Sequence, residues 1–241
     1  MTQNSHLQSF GVFSFLDSLS SLLFPSCCIH CKDDLPQSLN LMCGACLELL
    51  ELIEPTTRCP LCFSECCICS KAQRQSYSRL GCCFEYEGPQ KSLLVALKYR
   101  DMPYLAKSLA AFLFLQHQSL EWQVPDIITY IPQSFLRAST RGYNQSALLA
   151  KNLSKLMHVP VKSLLKRTCF SVSQTQATKD ERRLLSADTF TCKPNENFQN
   201  KHILLIDDVL TTGTTIEYAS HALEILNPKT IDVLCLMRTE I

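Results

Sequence analysis

A chain of 241 residues, 46% of them hydrophobic, is long enough for one large domain or two smaller ones and apolar enough to build a core. No apolar run reaches about 18 residues, which argues against a membrane-spanning helix. The formal net charge of +1 excludes a uniformly basic surface, but the charge is uneven. Residues 137–183 hold 10 Lys or Arg against Asp180 and Glu181, a local excess of +8 that suits a polyphosphate or a nucleic-acid strand.

The first 25 residues contain the greasy stretch FGVFSFLDSLSSLLF. It lacks a basic leader, carries Asp17 and runs into cysteines where a cleavage site would stand, so it reads as an amphipathic helix over 1–25 rather than a signal peptide. A cysteine-rich module then occupies 26–75. Twelve of the 15 cysteines lie between positions 27 and 83, mostly as pairs with two residues between: Cys28/Cys31, Cys43/Cys46, Cys59/Cys62 and Cys66/Cys69. Two sulfurs so spaced on a tight turn converge on one ion, and two turns complete a tetrahedral thiolate shell, so structural Zn2+ is expected. The last two pairs are separated by only three residues, which leaves a second site open; they could instead share ligands with Cys82 and Cys83. Metal binding would replace the core that so small a module cannot build.

Residues 76–241 alternate strand and helix. A strand is expected near 82–86, helices through KSLLVALKY and YLAKSLAAFLFL, and a strand over 126–131 stopped by Pro132. A helix follows with Leu149, Leu153 and Leu156 as its stripe. Next come the buried strand HILLI, a helix over 215–226 with Ile216, Ala219, Leu223 and Leu226 on one face, and a last strand over 231–237. Such alternation predicts an α/β fold, a doubly wound, mostly parallel sheet with its ligand at the carboxyl ends of the strands.

Two strands should open on that edge, 126–131 into Arg137 and Arg141, and 203–206 into Asp207, Asp208 and a threonine turn. Thr211, Thr212, Thr214 and Thr215 surround Gly213, one of only 6 glycines. A hydroxyl-rich turn at a helix start cradles phosphate, because the first N–H groups of a helix are unpaired and its dipole is positive there. The aspartates would accept hydrogen bonds from vicinal sugar hydroxyls. Together these parts describe a ribose 5-phosphate. A Walker-type magnesium site is excluded by the absence of G-x-x-x-x-G-K-[ST].

LLIDDVLTTGTT resembles the PRPP-binding motif of type I phosphoribosyltransferases. LLFPSCCIHC, CGAC, CPLC, YEGPQKSLLVALKYRD, IPQSFLRASTRGYNQSALLAKNLS and LLKRT…SQTQATKDERR resemble the ComF family of competence-associated proteins, in order along nearly the whole chain. The resemblance implies that Asp207 and Asp208 hold the ribose hydroxyls and that Thr211–Thr215 wrap the 5-phosphate. It also implies that Arg137 and Arg141 face pyrophosphate, that 167–183, with Arg182, is a mobile hood, and that Mg2+ bridges pyrophosphate and ribose oxygens. One departure is Leu185, where the family commonly has Asn. Two functions are then open: a PRPP-dependent transferase, or a non-catalytic PRPP-sensing or single-stranded-DNA-binding protein of the DNA-uptake machinery. Either would act in natural transformation from the cytoplasm, in association with inner-membrane machinery.

Overall fold

The computed structural model describes residues 27–35, 41–67, 69, 75–133, 142–168, 190–192 and 198–239. The proposed N-terminal helix lies outside these residues. Two compact units divide the chain between Leu50 and Glu51, within the stretch read as one cysteine module. The smaller unit contains the short helix α1 (Gly44–Glu48).

The larger unit is built on four parallel strands in the order β1 (Arg79–Glu85), β6 (Thr230–Arg238), β5 (His202–Leu210), β2 (Ile127–Tyr130). Strands β3 (Leu165–Arg167) and β4 (Phe190–Cys192) form a separate antiparallel pair. Parallel strands covered on both faces are apolar without alternation, which is why Ile203–Ile206 and Val233–Met237 are contiguous runs with no solvent contact. Burying each such side chain is worth about 2 kcal/mol.

Successive strand side chains point to opposite faces. Leu80, Cys82, Ile203, Leu205, Ile231 and Val233 join one core cluster with Ile216, Ala219 and Leu223 of helix α5 (Thr214–Leu223), together with Phe63 and Tyr77. Helices α3 (Leu105–Ser119) and α4 (Gln145–Met157) pack on each other and against the sheet. The outer edge of β2 does not stay open, since Ile128 donates to Pro160 and accepts from Lys162. At the amino ends of the strands, Asp232 is buried and binds both His202 (2.8 Å) and Arg79. Burial works against its ionisation, but these two partners hold its carboxyl below the usual range.

The elements follow the expected order with three differences. First, β5 continues through Asp207 and Asp208 to Leu210, so the acidic pair lies within a strand and does not begin a loop. Second, Leu156 is not part of the α4 stripe. It is 44% exposed, and Met157, four residues after the buried Leu153, takes the inward position. Third, β1 begins at Arg79, earlier than the apolar run suggested. The apolar face expected over 215–226, by contrast, is as read: Ile216, Ala219 and Leu223 of α5 and Leu226 in the 3-10 turn after it are all buried.

Candidate functional site

Strands β2 and β5 are paired parallel in register, Tyr130 opposite Ile206, and Ile131 donates its N–H to the Ile206 carbonyl at 3.0 Å. β2 therefore stops beside Ile206, while β5 continues past it through Asp207 and Asp208 to Leu210. Pro132 cannot donate to the ladder, and it lines the same cavity as Asp207. The cavity at this edge has a volume of about 420 Å3 and is lined by both strand ends. From β2 come Ile131, Pro132 and Gln133; from β5 and its turn come Asp207, Asp208, Thr211 and Thr215. Asn144, Ser146, Lys98 and Tyr86 add further polar groups.

The two aspartates are not equivalent. Asp207 is 8% exposed, and its Oδ1 accepts from Ser146 Oγ at 3.0 Å and from the Asp208 N–H at 2.9 Å. Burial, followed by the neighbouring Asp208 charge, pushes its carboxyl up to about 7, against the pull of those hydrogen bonds and of Lys98. Asp208 is half-buried and forms an ion pair with Lys98 Nζ at 2.9 Å.

Ser146 reaches Asp207 because α4 starts at the cavity. Asn144 caps that helix by accepting from the Ala147 N–H, and its own amide donates to the Ile131 carbonyl, which fixes the helix start to the end of β2. Sequence reading passed over Ser146 and Lys98. The start of a capped helix in the same polar segment was the available signal for Ser146; Lys98 had none, since its partner lies 110 positions away.

Within the threonine turn, Thr211 and Thr215 line the cavity, and Thr212 and Thr214 bind each other through their hydroxyls at 3.0 Å. Gly213 caps α5 with φ +77°. A Cβ there would meet nothing closer than Leu210 Cδ1 at 3.9 Å, so the glycine is needed for its left-handed backbone and not for lack of room. Arg137, Arg141 and Arg182 lie outside the described residues. Arg167, from the start of the expected hood, is described and lines the cavity.

The cysteines assemble into two four-thiol clusters, each with its sulfurs within 4.8 Å of one another: Cys28, Cys31, Cys43 and Cys46 in the smaller unit, and Cys59, Cys62, Cys67 and Cys69 in the larger. The first is the expected set. In the second, Cys67 stands where the pair reading placed Cys66. Cys82 and Cys83 belong to neither cluster and are buried in β1. Each donor set holds one thiol poised to ionise: burial opposes ionisation of Cys28 and Cys59, yet backbone N–H groups outweigh it and bring them to about 6 and about 7, while burial and the sulfurs beside them push Cys31, Cys46, Cys67 and Cys69 up. The Leu61 N–H, 3.4 Å from Cys59 Sγ, is one such donor.

The second cluster is also tied to the sheet. Arg58, next to Cys59, pairs with Glu85 at 3.1 Å, and the buried Arg238 donates to Ser64 Oγ at 3.0 Å. Glu85 and Arg238 end β1 and β6, directly before the cavity residues Tyr86 and Thr239.

The family of phosphoribosyl transferase domains matches residues 144–240, from the Asn144 cap through the Asp-Asp-threonine turn to the end of the last strand. The chain is 28% identical over 224 residues to Competence protein F of Haemophilus influenzae, covering 88% of this chain and 96% of that one. It is 30% identical over 173 residues to the DNA utilization protein YhgH of Shigella flexneri, covering 68% and 73%. It is 37% identical over 97 residues to Competence protein ComFC of Bacillus subtilis, covering 40% and 38%. The parallel sheet and the domain match define a type I phosphoribosyltransferase fold, accompanied by two cysteine clusters. The chain belongs to the ComF family of competence-associated proteins. Among the described residues, no helix is long and apolar enough to cross a membrane.

Proposed function

We propose that this protein binds PRPP with Mg2+ and acts in DNA uptake. The observation that carries the reading is the cavity where β2 and β5 end. It joins two carboxylates, suited to vicinal hydroxyls, to a threonine turn at the start of α5, suited to a phosphate. Asp207 and Asp208 hold the ribose hydroxyls, Thr211–Thr215 hold the 5-phosphate, and Arg137, Arg141 and Arg182 face the pyrophosphate. Mg2+, a hard cation served by oxygen ligands, would neutralise charge on the pyrophosphate when bound. The DNA-uptake role is supported by relatives named for competence and DNA utilization. For that role we propose a cytoplasmic protein working with inner-membrane machinery.

As a transferase, the protein would let a nucleophile form a bond to the anomeric carbon as the bond to pyrophosphate breaks. Pyrophosphate leaves with the electron pair, and the acceptor gives up its proton. The site residues act by positioning the sugar and neutralising charge. The cysteine clusters favour a second reading, a PRPP sensor that handles single-stranded DNA, because an ordinary nucleotide-salvage enzyme has no need of them. In either case we place one Zn2+ in each cluster and keep residues 26–75 as a cysteine module preceding the transferase-like domain.

Calorimetry with PRPP and Mg2+ tests the pocket. Binding should vanish in the double variant Asp207→Ala plus Asp208→Ala, and retained binding would refute the assignment. A pyrophosphate-release screen of PRPP against bases and oligonucleotides then separates the two readings, release marking a transferase and binding without release a sensor.

A further inference from the structure

Two adjacent carboxylates are, on charge alone, a poor receptor for a phosphorylated ligand, because an anion approaching them is repelled. The fold places a cation beside them. Lys98 lies in the last turn of α2 (Gly88–Tyr99), and its Nζ is 2.9 Å from Asp208 Oδ2. The two side chains are only 14% and 17% exposed, so solvent screens their interaction weakly. The helix position is fixed independently: the Tyr143 hydroxyl donates to the carbonyl of Leu97 at 2.7 Å, anchoring the residue before Lys98 to the segment that enters α4. Among the described residues lining the cavity, the cations are Lys98 and Arg167, and Arg167 also sits over the Phe190 ring at 5.3 Å.

We propose that Lys98 is a specificity-determining positioning residue of this pocket: it fixes the Asp208 carboxylate to accept the hydroxyls of a vicinal diol and supplies the positive charge that admits a phosphorylated sugar. The inference rests on the phosphoribosyl reading above and adds the residue that reconciles an acidic pair with an anionic ligand. A lysine suits this task better than an arginine, whose planar fork would lock onto a single carboxylate. An ammonium is a compact charge with three donors, so it can serve a carboxylate and a ligand oxygen together. Lys98 also opposes the burial and the Asp208 charge that raise Asp207. The titratable and charged groups that bear on the pair are Tyr86 after β1, Lys98 on α2, Arg167 on β3 and Cys235 on β6, opposite Asp207 in register.

The test is calorimetry on the full chain with PRPP and with ribose 5-phosphate, each with Mg2+, across about pH 6 to 9. Lys98→Met keeps most of the aliphatic stem and removes the charge; Lys98→Gln is the second variant should the first fail to fold. Both ligands should bind roughly tenfold or more weakly to either variant, with a flatter salt dependence. Wild-type affinity should rise with pH as Asp207 ionises. In the neutral variants that rise should move to higher pH, because a cation that favours the carboxylates is gone. Lys98→Arg should recover part of the affinity and the wild-type pH profile. Wild-type affinity and pH profile in the neutral variants would overturn the proposal, as would an equal loss in Lys98→Arg with no change in pH profile, the mark of a purely structural residue. Failure of the wild type to bind either ligand would instead overturn the phosphoribosyl reading, and this inference with it.

Discussion

Asp207 concentrates the chemistry of the site in one side chain. It is almost wholly buried, accepts two hydrogen bonds on one oxygen and has an acidic neighbour, and its carboxyl is raised from near 4 to about 7. A carboxyl raised in the folded state binds its proton more tightly there than in the unfolded chain. Between about pH 4 and 7 the folded state therefore carries the extra proton, and stability falls as pH rises through that window. The cost is absent below pH ~4 and complete above pH ~7. Asp207→Asn keeps an oxygen for Ser146 and for the Asp208 N–H but carries no charge. It should raise the unfolding free energy by roughly 1–3 kcal/mol above pH ~7 and leave it nearly unchanged near pH ~4. Urea unfolding at the two pH values checks this, and an equal effect at both would show that Asp207 is not raised. The same variant should bind PRPP less well, as expected where a functional charge is kept at the expense of stability.

Helix α4 shows how one element carries both core and site. Its amino end is fixed by Asn144 and presents Ser146 to Asp207, and its body buries Leu149, Leu153 and Met157. Leu149, Leu153 and Leu156 fit one helical stripe on paper, since both three- and four-residue steps keep to one face. The packed surface is centred on Ser146, Leu149, Ala150, Leu153 and Met157, and Leu156 falls at its margin in solvent. Leu153→Ala should cost about 2–5 kcal/mol by leaving a cavity, whereas Leu156→Lys should stay within about 0.5 kcal/mol of wild type. Thermal unfolding of the two variants decides the register. A large loss from Leu156→Lys would restore the paper stripe. Strand β5 makes a similar point. Its apolar run was legible because a buried parallel strand needs no alternation, but its continuation through two aspartates was not, because local propensity disfavours acidic residues in strands. Pairing with β6 out to Leu210 overrides that preference.

At the scale of the whole molecule, two thiol clusters stand in two compact units, and the larger unit also holds the cavity. Metal analysis of the purified chain should find two zinc ions. Cys67→Ser should remove one of them and Cys66→Ser neither; the opposite result would restore the C-x-x-C pairing of Cys66 with Cys69. By itself, the sequence determined what contiguous pattern encodes: the α/β alternation, the strand cores, the Asp-Asp-threonine turn, the first cysteine cluster and the family. The strand cores, the turn and each cysteine pair depend on residue types within a few positions of one another, where backbone period sets which side chains meet, and the family on such local motifs kept in order along the chain. Only the tertiary structure decided that Lys98 pairs with Asp208, that Ser146 binds Asp207, that Asp207 and Asp208 differ in burial and in their partners, and that Cys67 completes the second cluster. Those facts depend on elements far apart in the chain stopping at one sheet edge, and on which way a side chain points once packed, neither of which spacing along a sequence specifies.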